Sequence, residues 1–345
     1  MGNVAQIVTE RILKRMEEME DQIQRGEATS FRWVKPFALG APDRPYSFEK
    51  SLPYTGINRI LLCNKNGEYL TKKGIDRLGE KKDSPKYHIR KGAKSEIVCY
   101  YELKPVIDKE TGEPAIDEIT GKEIKKTILR FYPVFSREDV VRCDNGETLP
   151  SKFEFEHFTH EDVTEQTRIA LDRFNRLFNF FCKKYGIIAE EIADGTQCYY
   201  SPSDNRLRYC RMDGFSSVFE YISTVAHEMV HATGKILGRF DDTKIKSPEE
   251  AVQSYSREEL IAEIGSEICT NFVQCPDDSD TTENSIIYIR NWSLYLKNNP
   301  KTEILSASAK AEQACDLIYD CLLEMEREEQ IQKNNEEKEN DEDER

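Results

Sequence analysis

The residues whose types and spacing most directly predict chemistry are His227, Glu228 and His231, in the sequence His-Glu-Met-Val-His. On an α-helix, residues four apart project from one face, so both imidazoles can reach a single ion. Imidazole nitrogens suit Zn²⁺, which in catalytic sites takes three protein ligands and keeps one position for water. Glu228 is then placed to accept a proton as that water attacks a carbonyl. The pattern predicts a hydrolytic metal centre; the alternative is an ordinary polar cluster within a helix.

A helix around this motif is predicted over Ser217–Thr233. Ser217 and Glu220 form the pattern of a capping box, and Gly234 is typical of a helix stop. One face of this helix is apolar, which predicts that it packs against a core. The apolar residues are Val218, Tyr221, Ile222, Val225, Met229 and Val230.

A third ligand must come from another element, and the next predicted helix, Ser256–Gln274, offers Glu259 and Glu263. The two carboxylates are four apart and share one face. Glu259 also follows Ser256 by three residues, where it can simply cap the helix. The pattern resembles the second metal helix of thermolysin-like gluzincins, which implies that Glu259 binds zinc and that Glu263 orients a metal-bound histidine. Glu263 remains the alternative ligand, and Mn²⁺ and Co²⁺ remain alternatives to Zn²⁺.

The segment before the metal helix predicts a β-hairpin. Tyr199 and Tyr200 end one strand, Pro202–Asn205 supply the turn, and Arg206 opens the next strand. In zinc peptidases a strand in this place edges the cleft and pairs with extended substrate, although a plain structural hairpin fits the residues equally well. Tyr199, Tyr200 and Tyr255 are the candidates for stabilising the oxyanion.

Charge is unevenly spread along the 345 residues, whose formal net charge is −15. Residues 1–150 carry 27 Lys and Arg against 24 Asp and Glu, or +3, so the remainder carries −18. Within residues 31–106 the balance is 16 basic to 8 acidic, or +8. A basic segment inside an acidic protein predicts a site for a polyanion.

The cysteines and the hydropathy pattern bear on the compartment. The ten cysteines show no CxxC pair, which predicts reduced thiols. No signal peptide and no apolar run long enough to span a membrane is present. We therefore expect a cytoplasmic protein that has no membrane partner.

Basic and aromatic residues together predict nucleic acid as the polyanion. Phosphates need cations, and unpaired bases need flat side chains on which to stack. The competing interpretation is that the charges form a solvated face and the aromatic residues a core. The basic cluster comprises Lys81, Lys82, Lys86, Arg90, Lys91 and Lys94. The candidate DNA-binding residues are Trp33, Lys35, Tyr54, Arg59, Lys86, Tyr87, Arg90, Lys91 and Lys94.

The order of predicted elements indicates an α+β protein with two domains. Residues 1–145 are predicted to form a mixed α/β domain that carries the candidate DNA-binding residues, and residues 155–323 a mostly helical domain that carries the metal motif. Residues 324–345 carry 11 acidic and 4 basic side chains, a composition that predicts a disordered tail. The elements behind this division are a helix at 4–25, strands at Glu96–Leu103 and Lys126–Phe135, a loop at Asp108–Lys122, a connector at Phe135–Phe158 and a helix at Thr164–Tyr185.

Seven ordered blocks of sequence resemble the ArdC-type antirestriction proteins. They are Trp33-Val-Lys-Pro-Phe, Tyr54-Thr-Gly-Ile-Asn-Arg-Ile-Leu-Leu, Ile89-Arg-Lys-Gly-Ala-Lys-Ser-Glu-Ile-Val, Tyr200-Ser-Pro-Ser-Asp-Asn-Arg, His227-Glu-Met-Val-His-Ala-Thr-Gly, Tyr255-Ser-Arg-Glu-Glu-Leu-Ile-Ala-Glu-Ile-Gly and Ala307-Ser-Ala-Lys-Ala-Glu-Gln-Ala. The resemblance implies an amino-terminal domain that binds single-stranded DNA without sequence preference, followed by a zincin-like metallopeptidase domain. It also implies a mobile-element protein, carried by conjugative plasmids, integrative elements or phages, that protects incoming DNA from host restriction.

The chain departs from the family pattern at two positions. Ala93 stands where Glu is common, and Ala232 replaces the usual Trp after the second histidine. Neither change removes a predicted ligand. Two other functions fit the same residues: a DNA-coating protein with a catalytically silent zincin fold, and a DNA-guided protease for regulation or crosslink repair.

Overall fold

A computed structural model describes most of the chain. The described residues are 2–28, 30–35, 37–38, 42, 44–63, 67–80, 84–108, 111–116, 123–153, 160–192, 197–240, 247–277 and 282–343. Lys81 and Lys82 of the predicted basic cluster lie outside these ranges, as do parts of the predicted loop and of the predicted connector. None of the helices in the described ranges has an apolar stretch of bilayer-crossing length.

The chain divides into two compact units that alternate along the sequence. The first unit comprises residues 1–27, 45–152 and 286–305, and the second comprises residues 28–44, 153–285 and 306–345. The predicted domains, residues 1–145 and residues 155–323, are each continuous, whereas each unit combines three separate segments of the chain. Segment 28–44 clusters with the second unit because Phe31, Trp33 and Val34 are buried and the Val34 N–H donates to the buried Glu267 carboxylate at 3.0 Å.

The first unit is a mixed α/β structure built on a five-stranded sheet with the strand order β2-β1-β3-β6-β5. All neighbours are antiparallel except β1 and β3, which are parallel. Its helices are α1 (Gly2–Gln24), α2 (Ile57–Leu61) and α3 (Lys72–Leu78). Its strands are β1 (Tyr46–Ser47), β2 (Leu52–Pro53), β3 (Glu68–Leu70), β4 (Tyr87–Ile89), β5 (Glu96–Pro105), β6 (Lys125–Ser136) and β7 (Val140–Arg142). Strands β4 and β7 form a separate antiparallel pair.

The second unit is mostly helical and carries a three-stranded sheet with the order β8-β10-β9. Its strands are β8 (Ile188–Ile192), β9 (Tyr199–Ser201) and β10 (Arg206–Cys210). Its helices are α4 (His160–Tyr185), α5 (Val218–Ile236), α6 (Pro248–Phe272) and most of α8 (Glu303–Asp343), whereas α7 (Thr282–Asn298) belongs mostly to the first unit. The predicted α+β class, with a mixed α/β part followed by a mostly helical part, is confirmed.

Helix boundaries around the metal motif differ from prediction at two points. Ser217 caps α5 as expected, accepting from the Glu220 N–H at 3.1 Å, but the helix passes Gly234 and ends at Ile236. Gly238, with φ +66°, makes the turn that ends it. Helix α6 begins at Pro248, and its cap is Ser247, so the alternative in which Ser256 and Glu259 cap this helix is wrong.

Helices α5 and α6 approach closely because Gly265 of α6 has no side chain. A Cβ atom at this position would lie 2.8 Å from one methyl of Val230 and 3.1 Å from the other. Val230 is fully buried, and its β-branched side chain has little rotamer freedom in a helix. The absence of a side chain at Gly265 therefore sets the separation of the two helices that carry the metal motif.

Residues 324–343 of the predicted disordered tail are helical instead. Helix α8 continues without a break from Glu303 to Asp343, and the residues just past Leu323 pack on α4. Met325 is buried, and Arg173 and Arg176 of α4 pair with Glu326 at 2.7 Å and Glu329 at 2.5 Å. Composition alone predicted disorder because it counts the acidic side chains without the basic partners that α4 provides.

We expect Gly265→Ala to lower the free energy of unfolding by about 1 kcal/mol. Overpacking against Val230 costs roughly 1–3 kcal/mol, which outweighs the gain in helix propensity of about 1 kcal/mol. Urea denaturation followed by circular dichroism measures the change. Gly214→Ala is the control, because no atom lies within 4 Å of a Cβ at Gly214. Equal stability of the two variants would show that the α5–α6 contact tolerates a methyl group.

Candidate functional site

Helices α5 and α6 bring three potential metal ligands together. The Nε2 atoms of His227 and His231 lie 3.0 Å apart. Glu259 places one carboxylate oxygen 3.5 Å from His227 Nε2 and the other 3.5 Å from His231 Nε2. Within the described residues, these three side chains form the one group of His, Cys, Asp or Glu ligands with all donor atoms inside 4.8 Å.

The donor set fits a divalent cation in both geometry and charge. Ligand atoms about 2.0–2.1 Å from a tetrahedral zinc lie roughly 3.3 Å from one another, close to the separations of 3.0 and 3.5 Å found here. With both imidazoles neutral, as metal ligands must be, the carboxylates of Glu228, Glu258 and Glu259 outnumber the guanidinium of Arg239 by two charges, three against one. Such an excess in a half-buried site favours a doubly charged cation.

Of the two predicted acidic candidates on α6, Glu259 lies in this group and Glu263 does not. Four residues along a helix advance its axis by about 6 Å, which carries Glu263 past the imidazoles. The geometry therefore favours Glu259 as the third ligand, and the role of Glu263 in orienting a histidine stays a prediction.

Glu258 lies where a group that orients a metal-bound histidine is expected. Its Oε1 atom lies 3.5 Å from His231 Nδ1, on the side of the ring away from Glu259. Arg239 holds the same carboxylate with Nη2 at 2.6 Å and Nε at 3.1 Å. Arg239 also donates to the Val230 carbonyl at 2.7 Å and to the Thr233 hydroxyl at 2.9 Å. The Gly238 turn thus returns Arg239 to α5, where it clamps Glu258 against His231.

The protonation of these groups follows from their contacts. Burial lowers the pKa of His231, but hydrogen bonds to Glu258 and Glu259 outweigh burial and raise it to about 9. Burial raises the pKa of Glu259, yet its hydrogen bonds to His227 and His231 hold it well below the usual range. For Glu258, the raising effect of burial is likewise overcome by His231 and Arg239, so its pKa is lowered. Both carboxylates are therefore ionised at neutral pH.

Glu228 faces the same site from α5 but is positioned separately. Its side chain is buried, and one carboxylate oxygen accepts a hydrogen bond from the Tyr200 backbone N–H at 2.7 Å. Burial raises the pKa of Glu228, and His227, His231 and the Tyr200 N–H offset part of this rise. Tyr200 lies on β9, the edge strand of its sheet. The predicted hairpin is thus present and fixes the carboxylate beside the metal motif.

The three tyrosines considered for the oxyanion occupy different places. The hydroxyl of Tyr200 donates to Asn205 Oδ1 at 2.7 Å and is already committed to the hairpin turn. The ring of Tyr199 lies under Arg208, whose guanidinium carbon is 5.1 Å from the ring centroid. Tyr255, one turn before Glu259 on α6, is 68% exposed, and the nearby charge of Glu259 raises the pKa of the Tyr255 hydroxyl. Tyr255 is therefore the tyrosine whose hydroxyl lies at the ligand cluster.

The predicted DNA-binding residues divide into exposed and buried groups. Trp33, which packs edge-on against Phe31, and Arg59 are almost completely buried, so neither presents a surface to DNA; both were predicted from residue type without knowledge of burial. Lys35 is exposed in the second unit, and Tyr54 and Tyr87 are half-buried in the first. Lys86, Arg90, Lys91 and Lys94 are exposed on and beside β4 in the first unit.

Comparison with known proteins gives matches over both parts of the chain. Residues 2–135 match the family described as the N-terminal domain of anti-restriction factor ArdC. Residues 178–310 match a family of zincin-like metallopeptidases. A search of curated protein sequences found no match.

Two solved structures of the antirestriction protein ArdC from the R388 plasmid are similar to the chain. The metal-free structure is 25% identical with a TM-score of 0.58, and the Mn(II)-bound structure is 24% identical with a TM-score of 0.56. Each similarity covers 93% of this chain and 98% of the other.

We expect Glu258→Gln to weaken divalent-metal affinity about 10- to 100-fold, the usual cost of removing a group that orients a metal-bound histidine. Competition with a chromophoric chelator, normalised to folded protein, measures the affinity. Glu249→Gln is the matched control, because Glu249 is exposed on the first turn of the same helix. Wild-type affinity in Glu258→Gln would show that the clamp does not act on the metal ligands.

Proposed function

Because this chain is an ArdC-type antirestriction protein, with that family's amino-terminal domain and a zincin-like metallopeptidase domain, we propose that it binds single-stranded DNA and hydrolyses peptide bonds at a divalent metal centre. The peptidase part of this proposal rests on one observation: His227, His231 and Glu259 lie together beside the buried Glu228. The protein acts in the cytoplasm for a mobile genetic element and protects incoming DNA from restriction.

His227, His231 and Glu259 are the proposed ligands of one metal ion. Two imidazoles and a carboxylate favour Zn²⁺, with Mn²⁺ and Co²⁺ as alternatives. The Mn(II)-bound structure of the R388 relative supports a divalent ion in this fold. When bound, the metal supplies Lewis acidity and lowers the pKa of a coordinated water. Glu258 and Arg239 keep the His231 ring in the orientation that points Nε2 at the ion.

Glu228 is the proposed general base. Its carboxylate accepts the proton of the attacking water and then passes it to the leaving amine. Burial raises its pKa towards the working range for such a transfer, while the Tyr200 N–H holds one carboxylate oxygen and leaves the other for the proton. The Tyr255 hydroxyl, already at Glu259, is the proposed donor to the developing negative charge on the substrate carbonyl oxygen.

The outer edge of β9 is the proposed binding site for the substrate backbone. Strand β9 pairs with β10 on one side only within the described sheet, and an extended peptide can add to such an edge through main-chain hydrogen bonds. The Tyr200 N–H, which lies on this strand, links the edge directly to Glu228. A peptide bound there would therefore run past the metal ligands.

Glu228→Gln is expected to abolish cleavage, a loss of at least 100-fold in kcat, while metal content and fold stay unchanged. The amide keeps the size of the side chain but does not accept the proton. Cleavage of a casein substrate, metal analysis and circular dichroism of the full-length protein measure the three quantities. If the variant cleaves as fast as the wild type, Glu228 is not the base.

The same variant separates the peptidase from its rivals. Protection of incoming DNA by Glu228→Gln at the wild-type level would favour the alternative in which strand coating alone protects the DNA. Cleavage by the wild type only when single-stranded DNA is present, and only of DNA-bound protein, would favour the DNA-guided protease.

Binding of single-stranded DNA is expected to depend steeply on salt through the exposed cluster of Lys86, Arg90 and Lys91. For single strands, each lost phosphate contact lowers the slope of log affinity against log salt by about 0.7, so the triple alanine variant should lose about 2. Fluorescence anisotropy with a labelled oligonucleotide measures the slope. Lys73→Ala, exposed on α3, is the control. A slope equal to that of the wild type would remove the cluster from the DNA site.

A further inference from the structure

The hairpin of β5 and β6 exposes several aromatic side chains at positions that the sequence pattern did not single out. Tyr100 is 44% exposed and Tyr101 is 63% exposed, whereas their neighbours Val98 and Val134 are fully buried. The antiparallel register pairs Val98 with Tyr132, Tyr100 with Arg130 and Lys104 with Lys126. Because successive residues of a strand alternate between faces, these six residues lie on one face, and Tyr101 lies on the other.

Three tyrosines form a continuous row on the first face, which we call the tyrosine face: Tyr54, Tyr132 and Tyr100. The ring centroids of Tyr100 and Tyr132 are 5.6 Å apart with an interplanar angle of 54°, and Tyr132 and Tyr54 lie close enough for each hydroxyl to shift the pKa of the other. Tyr54 and Tyr132 pack against the core cluster of Leu62, Tyr69, Val98 and Val134. The row therefore has a rigid base in the core and an exposed end at Tyr100.

Cations border the exposed end of the tyrosine face. Arg130 and Lys104 both approach Glu102, at 3.1 and 3.6 Å, and Lys126 follows at the position paired with Lys104. Three positive charges against one negative charge leave an excess of two. All four side chains belong to this face by register. Flat rings beside surplus cations match the chemistry of an unpaired nucleic-acid strand, since every base has a face to stack and every linkage carries a negative charge.

We propose that the tyrosine face is a binding site for single-stranded DNA, in which Tyr100 and Tyr132 stack against bases while Arg130, Lys104 and Lys126 contact the phosphates. This inference rests on the proposed DNA-binding function and names the surface that performs its base contacts. Stacking without base-edge hydrogen bonds tolerates any sequence. The site thus complements the basic cluster near β4, which supplies charge but, apart from the half-buried Tyr87, few flat side chains.

The opposite face of the hairpin lacks the surplus of positive charge that the tyrosine face has. It also exposes aromatic side chains, Tyr101 and Phe131, but the register adds only Lys125 as a cation among its described side chains. Its deeper residues, Ile97 and Cys99, are buried, and the Cys99 backbone is held by the Asn58 side chain at 2.6 and 2.9 Å. Aromatic exposure is thus similar on the two faces, and the surplus of cations distinguishes the tyrosine face.

The two faces provide a matched test one residue apart. Full-length Tyr100→Ala, Tyr100→Phe and Tyr101→Ala are titrated against a fluorescein-labelled oligothymidylate, and binding is followed by anisotropy. Loss of one stacked base is expected to raise the dissociation constant of Tyr100→Ala roughly 10-fold. Tyr100→Phe, which keeps the ring, and Tyr101→Ala, which removes a more exposed ring from the other face, should bind like the wild type. Thermal melting of each variant verifies that the hairpin is intact.

The possible results distinguish a failure of the tyrosine face as a DNA site from a failure of DNA binding as a whole. If Tyr100→Ala binds the oligonucleotide as tightly as the wild type, the inference is overturned, while the proposed DNA binding still stands. Equal weakening by Tyr100→Ala and Tyr101→Ala would also overturn it, because stacking would then not distinguish the faces. If the wild-type protein binds no single-stranded oligonucleotide, the proposed DNA function itself fails.

Discussion

The close contact between Gly265 of α6 and Val230 of α5 is the constraint on which the metal centre depends. The proposed ligands come from both helices, and their donor atoms lie only 3.0–3.5 Å apart. Side chains of fixed length reach one another over this distance only when the helix axes are close and their relative rotation is correct. A missing side chain at Gly265 provides this proximity without a cavity. The backbone packing of two helices thus determines whether His227 and Glu259 form one site.

The metal centre also depends on electrostatics, because several charged groups lie where little water reaches them. Glu228 is buried, and Glu258 and Arg239 are nearly so. Specific donors stabilise the buried carboxylates: the Tyr200 N–H donates a hydrogen bond to Glu228, and the Arg239 guanidinium donates to Glu258. Removing one partner of such a buried pair typically costs about 3–5 kcal/mol, since the other charge is left uncompensated. The high pKa of His231, about 9, reflects the same excess of negative charge.

The two units use the same residue types for different purposes according to their burial. Arg239 in the second unit is buried and holds a carboxylate, whereas Arg130 in the first is exposed at the edge of an aromatic row. Trp33 is buried in the second unit, although its ring and basic neighbourhood suggested a DNA contact. Tyr100, which no sequence motif marked, is exposed beside cations. Exposure therefore decides whether an aromatic or basic residue serves packing or binding.

Much of the fold and of the metal motif was predictable because the evidence for it is local. The spacing of His227 and His231 on a helix, the Ser217 cap, the hairpin at Tyr199–Cys210 and the α4 helix all depend on residues within a few turns of one another. The carboxylate at Glu259 was identified by resemblance to gluzincins, and the structure has it in the ligand group. The contact of Glu258 with His231 was not predictable, because it depends on the ion pair that Arg239, from beyond the end of α5, makes with Glu258.

By itself, the sequence determined the chemistry available to this protein: two imidazoles and a base on one helix, carboxylates on the next, and a basic, aromatic amino-terminal half. Periodicity and capping set this chemistry, since they act between residues close in the chain. Only the tertiary structure decided which carboxylate meets which nitrogen, which aromatic rings reach the surface, and that the acidic end of α8 packs on α4. These outcomes depend on distances between elements far apart in sequence, and residue spacing carries no information about such distances.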